Sequence, residues 1–141
     1  MKIGWSRLLR LIAVIGSLVM LAPPVNAQND ALENTPTYIP LAPPFVVNYG
    51  GAGRLKYLKA EISVRVDNPA AAQAVRHHMP LIRNNLVMLF SRQSEEDVKT
   101  QDGKERLRQT ALAEINALIA AEDGAGIKVG DLFFNNLIIQ Q

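Results

Sequence analysis

The clearest alternation of apolar and polar positions in the chain runs from Leu58 to Val66. Leu58, Ala60, Ile62, Val64 and Val66 are apolar, while Lys59, Glu61, Ser63 and Arg65 are polar. A period of two sustained over this stretch predicts a strand buried on one face. Ahead of it, Phe45-Val46-Val47-Asn48-Tyr49 is a short run of strand-forming types, ended by Gly50-Gly51-Ala52-Gly53, where a positive φ is cheap. The two segments read as a hairpin with a glycine-rich turn.

Asp67-Asn68-Pro69 then changes the pattern, because an Asx residue before a proline at the first helical position starts helices. Val75, Met79, Ile82, Leu86 and Leu89 follow at spacings of 4, 3, 4 and 3, the stripe of an amphipathic helix. Pro80 removes a backbone donor inside that stripe, so two pieces are expected, divided near His77-His78. Ser94 with Glu95, Glu96 and Asp97 marks a further short start. Asp102-Gly103-Lys104-Glu105 reads as a capping box for a helix carrying Leu107, Ala111, Ile115 and Leu118, closed by Gly124-Ala125-Gly126. Ile127 to Ile139 reads as a return strand or pair of strands, with Gly130-Asp131 and Asn135-Asn136 as turn or bulge points. The expected fold is α+β: a small sheet made of a β-hairpin plus a C-terminal strand, in ββααβ order, covered on one face by two to three helices.

The N-terminus has a different grammar. Lys2, Arg7 and Arg10 precede or open an apolar run from Leu11 to Ala22, Pro23-Pro24 break it, and Val25-Asn26-Ala27 offers small residues ahead of Gln28, as a signal peptidase requires. Twelve helical residues rise only about 18 Å against roughly 30 Å of hydrocarbon, which favours a signal peptide cleaved between Ala27 and Gln28 over a retained membrane anchor. Both readings export the remainder. The expected organisation is therefore a signal peptide or N-terminal membrane anchor over 1–27, a Pro-rich extended tether over 28–43, and a folded domain over 44–141.

Charge fits this division. The whole chain of 141 residues carries a formal +2, but three of its 15 basic side chains lie in the first 27 residues, leaving 12 against 13 acidic ones and a net of −1. A nucleic-acid partner loses its compositional support. The absence of cysteine excludes a disulfide framework and thiolate chemistry.

Catalytic constellations are missing. His77 and His78 are adjacent, so on a helix they point about 100° apart and do not chelate one ion as an i, i+4 pair does. Glu95-Glu96-Asp97 lacks the Gly-centred loop of a cation site and reads as a helix cap. Gly50 to Gly53 lacks the Gly-Lys-Ser/Thr of a phosphate cradle and joins strand to strand. Ser63, Ser91 and Ser94 have no nucleophile setting. Arg76, Arg83 and Arg92 along the helical segment read as a solvated face, with a basic strip for an acidic partner as the alternative. No cofactor and no metal is expected.

The spaced residues resemble those of the flagellar basal body-associated protein FliL family. Pro44-Phe45-Val46-Val47-Asn48, Arg54, Tyr57-Leu58 and His78-Met79-Pro80-Leu81-Ile82-Arg83-Asn84 carry the first half of the likeness. Leu89, Ser91, Gln93, Val98, Thr100, Gly103-Lys104-Glu105, Leu107-Arg108, Ile115-Asn116, Val129, Phe133-Phe134 and Ile139-Gln140 carry the second. The resemblance spans about residues 38 to 141. It implies a stomatin-like (SPFH-like) domain and a non-enzymatic protein of the bacterial cell envelope. It also implies an inner-membrane attachment, a periplasmic domain beside the flagellar stator units, self-association into a ring, and support of torque, swimming or swarming. The signature or interaction candidates it singles out are Pro44, Phe45, Asn48, Arg54, Tyr57, Pro80, Arg83, Asn84, Gly103, Lys104, Leu107, Arg108, Phe133 and Gln140. Pro80 is expected as a kink and Gly103 as a glycine at a helix start. The short apolar N-terminal run departs from the family's full-length membrane helix. A general periplasmic module binding a ligand or an envelope polymer is the alternative function. Ring contacts are expected on the helix pair between Asn68 and Ala121 or at the sheet edge from Phe45 to Tyr49, and reversing the charge of Arg83 is expected to weaken a partner contact more than folding.

Overall fold

The computed structural model describes residues 35–53 and 55–140. The expected leader or anchor with its Ala27–Gln28 junction, the first part of the tether, and Arg54 lie outside the described residues. The elements are β1 (Thr37–Pro40), β2 (Phe45–Tyr49), β3 (Lys56–Val66), α1 (Pro69–His77), α2 (Met79–Ser91), α3 (Glu95–Lys99), α4 (Gln101–Asp123) and β4 (Asp131–Gln140). This is the expected α+β arrangement, enlarged by one strand at the front and by the division of the helical region into four.

β3 is the centre of an antiparallel sheet. β4 pairs along one edge of it from Tyr57 to Arg65. On the other edge β2 covers Lys56 to Ala60 and β1 covers Ser63 to Val66, in tandem along the same strand. Between them Leu41 donates its amide to Ile62 O at 2.9 Å, and the Ala42–Pro43 peptide is cis. Residues 37–41, expected as part of an extended tether, are therefore joined to the sheet. The reason is local: proline holds the chain extended and is tolerated on an edge strand, where its missing N–H is not needed. Ile39 and Leu41 then drop into the core while Tyr38 and Pro40 point outward. Four residues are too short a run for alternation alone to reveal a strand. The Asn135-Asn136 point is a bulge: Asn136 faces Glu61 and Phe134 faces Ile62, leaving Asn135 as the extra residue.

The helices lie on one face. Asn68 caps α1, its Oδ1 accepting from Ala71 N at 2.8 Å, with Pro69 in the first turn. His78 is the single residue between α1 and α2, and Pro80 sits in the first turn of α2, where a missing N–H costs nothing. The break predicted from Pro80 is thus a change of helix. Ser94 and Asp97 form a reciprocal capping box at α3. The box expected at Asp102 is displaced: Thr100 is the cap of α4, its Oγ1 accepting from Gly103 N at 3.0 Å. Gly124 ends α4 with φ 96°, where a side chain would be strained. The inward stripes of α1 (Ala71, Val75), α2 (Ile82, Leu86, Phe90) and α4 (Leu107, Ala111, Ile115, Ile119) close over Leu58, Ile62, Val64 and Val66 of β3. The outward face of the sheet is left without a covering layer among the described residues.

Candidate interaction surfaces

Several of the singled-out residues hold the scaffold rather than the surface. Phe45 is buried, meets Phe90 edge-to-face at 5.5 Å, and lies beneath the Arg83 guanidinium, whose carbon is 4.2 Å from the ring centre. Arg83 Nη1 donates to Leu41 O and, at 2.6 Å, to Pro43 O. It ties α2 to the β1–β2 connection. These bonds give Arg83 a role in the fold, because its donors satisfy carbonyls of a segment whose sheet pairing is interrupted. Leu107 is a core residue. Gly103 stands at the start of α4, as expected, buried in the first turn and without a positive φ, so close approach and not backbone freedom requires it. A Cβ there would lie 2.5 Å from Glu96 O and 2.7 Å from Asp97 Cα. Only a glycine lets α4 approach the backbone of α3 so closely.

Ion pairs fasten the ends. Arg108 grips Glu105 through Nε at 2.8 Å and Nη2 at 2.6 Å, and its Nη1 reaches Asp131 and, at 3.4 Å, Leu132 O. The fork links α4 to the start of β4 and satisfies an edge carbonyl. These bonds hold the Glu105 carboxyl down at about 2, with Arg108 the main cause and Gln109 the second, and raise the Arg108 guanidinium, chiefly through Glu105. The hydrogen bonds from Ser94, side chain first and backbone second, lower Asp97. At the hairpin, Lys56 bonds Glu95 of α3, which raises the lysine, and Gly50 N donates to Gln93 O at 3.2 Å.

The uncovered sheet face collects the rest. Register places Asn48, Tyr57 and Gln140 side by side across three strands, although they are far apart in sequence. The next outward row is Val46, Lys59 and Ile138. Toward the other end Tyr38 and Phe133 meet with ring centres 5.8 Å apart, and Asn135 Nδ2 donates to Ser63 Oγ at 2.7 Å. Tyr38, Val46, Tyr57, Phe133 and Ile138 are all exposed, five of the nine exposed large apolar side chains among the described residues.

The profile of the family described as flagellar basal body-associated protein FliL matches residues 38–140, from the β1 strand to the end of β4. The chain belongs to the FliL family. Flagellar protein FliL of Aquifex aeolicus is 29% identical over 100 residues, covering 71% of this chain and 59% of that protein. Flagellar protein FliL of Escherichia coli K12 is 33% identical over 82 residues, covering 58% of this chain and 49% of that protein. The chain thus spans between about half and three fifths of the length of these relatives. FliL is a flagellar accessory family associated with the basal body, hence with the cell envelope.

The FliL-type domain also has a groove of about 450 Å³ between α2 and α4, of mixed polar and apolar lining. Leu81 and Met88 face Ala117 and Ala121 across it, and Arg92 pairs with Glu114 at 3.6 Å. Asn84 is exposed on α2, and Lys104 is half-buried on α4. Pro44 is exposed just ahead of β2. His78 is hydrogen-bonded through Nε2 to Asp123 Oδ2 at 2.8 Å, joining the α1–α2 junction to the end of α4, so it is a junction histidine. Among the described residues no cluster of three or more His, Cys, Asp or Glu is placed to hold a metal ion, and no helix is long and apolar enough to cross a membrane. The sequence singled out Asn48, Tyr57, Phe133 and Gln140 on the open face, and Val46 within the Phe45 to Tyr49 edge, but passed over Tyr38 and Ile138. The usable signal was apolar residues at positions that a neighbouring strand's alternation assigns to solvent.

Proposed function

We propose that the protein is a non-enzymatic accessory of the flagellar motor, self-associating in the periplasm beside the stator units and supporting rotation, torque and swimming or swarming. The observation that carries this reading is the family match, which runs through the whole described fold rather than through one motif. Two features of the domain support it. Several charged and polar side chains are engaged in caps and helix-to-strand ties, such as Arg108 with Glu105 and Asp131. Five of the nine exposed large apolar side chains among the described residues gather on one sheet face, and Leu81 and Met88 line the helix groove, as on contact surfaces. Its partners on this reading are stator and basal-body proteins and further copies of itself, and no nucleic acid. Residues 1–27 either anchor it in the inner membrane with the N-terminus inside or are removed after Ala27.

Deleting the gene is expected to reduce swimming or swarming and to disturb stator localisation. Unchanged motility and unchanged stator placement would refute the motor role. Intact-mass measurement with fractionation separates the two attachments: a mass beginning at Gln28 in the periplasm means cleavage, and the full chain in the membrane means an anchor.

A further inference from the structure

The open sheet face combines exposed apolar side chains with an ordered row of charges along β3. Lys59, Glu61, Ser63 and Arg65 are its outward positions, and Asp67 continues the row, its Oδ1 3.2 Å from Arg65 Nε. In sign the row reads plus, minus, neutral, plus, minus. It carries no net charge, so it does not select a partner of one sign.

The row is, however, complementary to itself when reversed. If a second copy of the same face is laid on it with the strands antiparallel and Ser63 opposite Ser63, Glu61 meets Arg65 and Lys59 meets Asp67, each twice. A parallel placement sets Lys59 on Lys59 and Glu61 on Glu61. Centring on Glu61 instead opposes two carboxylates, and centring on Ile62 opposes Lys59 to Arg65. Of these placements the one centred on Ser63 pairs every charge of the row with its opposite, and it has the twofold symmetry of an isologous contact. The apolar side chains suit it: Phe133 lies beside Ser63 at the axis, and Tyr38 stands in the Arg65 row, so the aromatic pair sits at the centre of the contact. Aromatic centres with charged surroundings are the usual anatomy of a specific interface.

We propose that the open face of the sheet is a contact between two copies of this chain, with β3 packed antiparallel on β3 about a twofold axis at Ser63. A ring requires a head-to-tail contact that uses two different surfaces, whereas this contact uses one surface twice and closes at two copies. It therefore goes beyond the self-association proposed above and stands or falls separately from it.

The chain has no cysteine, so a single Ser63→Cys substitution in the full-length protein, in native envelopes, supplies the only thiol. A bis-maleimide matched to the sheet separation of about 10 Å is expected to join two copies, and Ala113→Cys on the exposed side of α4 is expected not to be joined. In the Ser63→Cys background, Glu61→Lys opposes two cations and Arg65→Glu opposes two carboxylates, each at two symmetric places. Each alone is expected to cut dimer yield at least about tenfold, since both Glu61–Arg65 pairs become repulsive while the Lys59–Asp67 pairs are unchanged. When the two variants are co-expressed, one carrying a tag, both pairs of the mixed dimer are attractive again, and the yield is expected to return. Thermal unfolding checks that each variant is folded. Should Arg65→Glu fail to fold, Lys59→Glu with Asp67→Lys gives the same exchange by the same reasoning. Yield at Ser63→Cys no higher than at Ala113→Cys, yield indifferent to the reversals, or no recovery in the mixture overturns the proposal. Larger assemblies that persist in those cases leave the ring reading standing without this contact. A charge-dependent dimer with no larger assembly keeps this contact and removes the ring.

Discussion

Replacing Gly103 by alanine tests whether helix geometry or close approach decides that position. Taken alone, α4 would gain: alanine is favoured over glycine inside a helix by about 1 kcal/mol. The surroundings oppose it. The new Cβ would stand 2.5 Å from Glu96 O and 2.7 Å from both Asp97 Cα and Asp97 O, all of them backbone atoms. No rotamer change relieves such an overlap, so α3 must move away from α4, loosening buried Val98 and the Thr100 cap. Overpacking costs about 1–3 kcal/mol, and contact with backbone belongs at or beyond the upper end of that range. Set against the propensity gain, the net expectation is a loss of about 2 kcal/mol, which lowers Tm by about 10 °C in a domain of this size. The assay is thermal unfolding of the full chain by circular dichroism. Gly126→Ala is the control, since Gly126 has open space and no positive φ, and it is expected to change stability by no more than about 0.5 kcal/mol. A Gly103→Ala protein as stable as the parent, or more so, would refute the close-approach argument.

Arg83→Met keeps the aliphatic stem but removes the donors to Leu41 O and Pro43 O, and is expected to cost about 2 kcal/mol in denaturant unfolding; intact stability with lost partner binding would favour the partner role. Glu105 has a folded-state value near 2, below the ordinary 4.5, so its contribution is present above about 4.5 and is lost as pH falls through about 2. The Glu105→Gln protein is accordingly expected to lose less stability than the parent between those two pH values in an acid titration followed by fluorescence or circular dichroism, and parallel curves would contradict this. Tyr49 is buried and its hydroxyl has no hydrogen-bond partner among the described residues, so Tyr49→Phe is expected to leave stability unchanged or raise it by about 1 kcal/mol; a clear loss would reveal a hidden partner for the hydroxyl.

Local order was legible where a single segment carried its own signal. The alternation of Leu58 to Val66, the Asn68-Pro69 helix start, the Ser94–Asp97 cap, the Gly124 stop and the Asn135-Asn136 bulge are each written within a few residues, because backbone preference and side-chain direction act over that range. The resemblance to the FliL family was also a property of the linear chain, because a spaced pattern survives without knowledge of what each residue touches.

Tertiary structure decided the meaning of those residues. Arg83 reads as a surface charge until the β1–β2 connection is placed beneath α2, and the need for glycine at the Gly103 helix start is visible only once α3 is folded against α4. β1 is a strand only because β3 offers it an open edge; its own four residues are too few to announce one. The uncovered face is likewise a product of register: Asn48, Tyr57 and Gln140, or Tyr38 and Phe133, become neighbours only when strands distant in sequence are aligned. The chain alone determined its helices, most of its strands and its family, since these depend on short-range preference and order along the backbone. Which side chains support the fold and which remain free to meet another molecule was settled by long-range packing, because burial is a property of the neighbours and not of the residue.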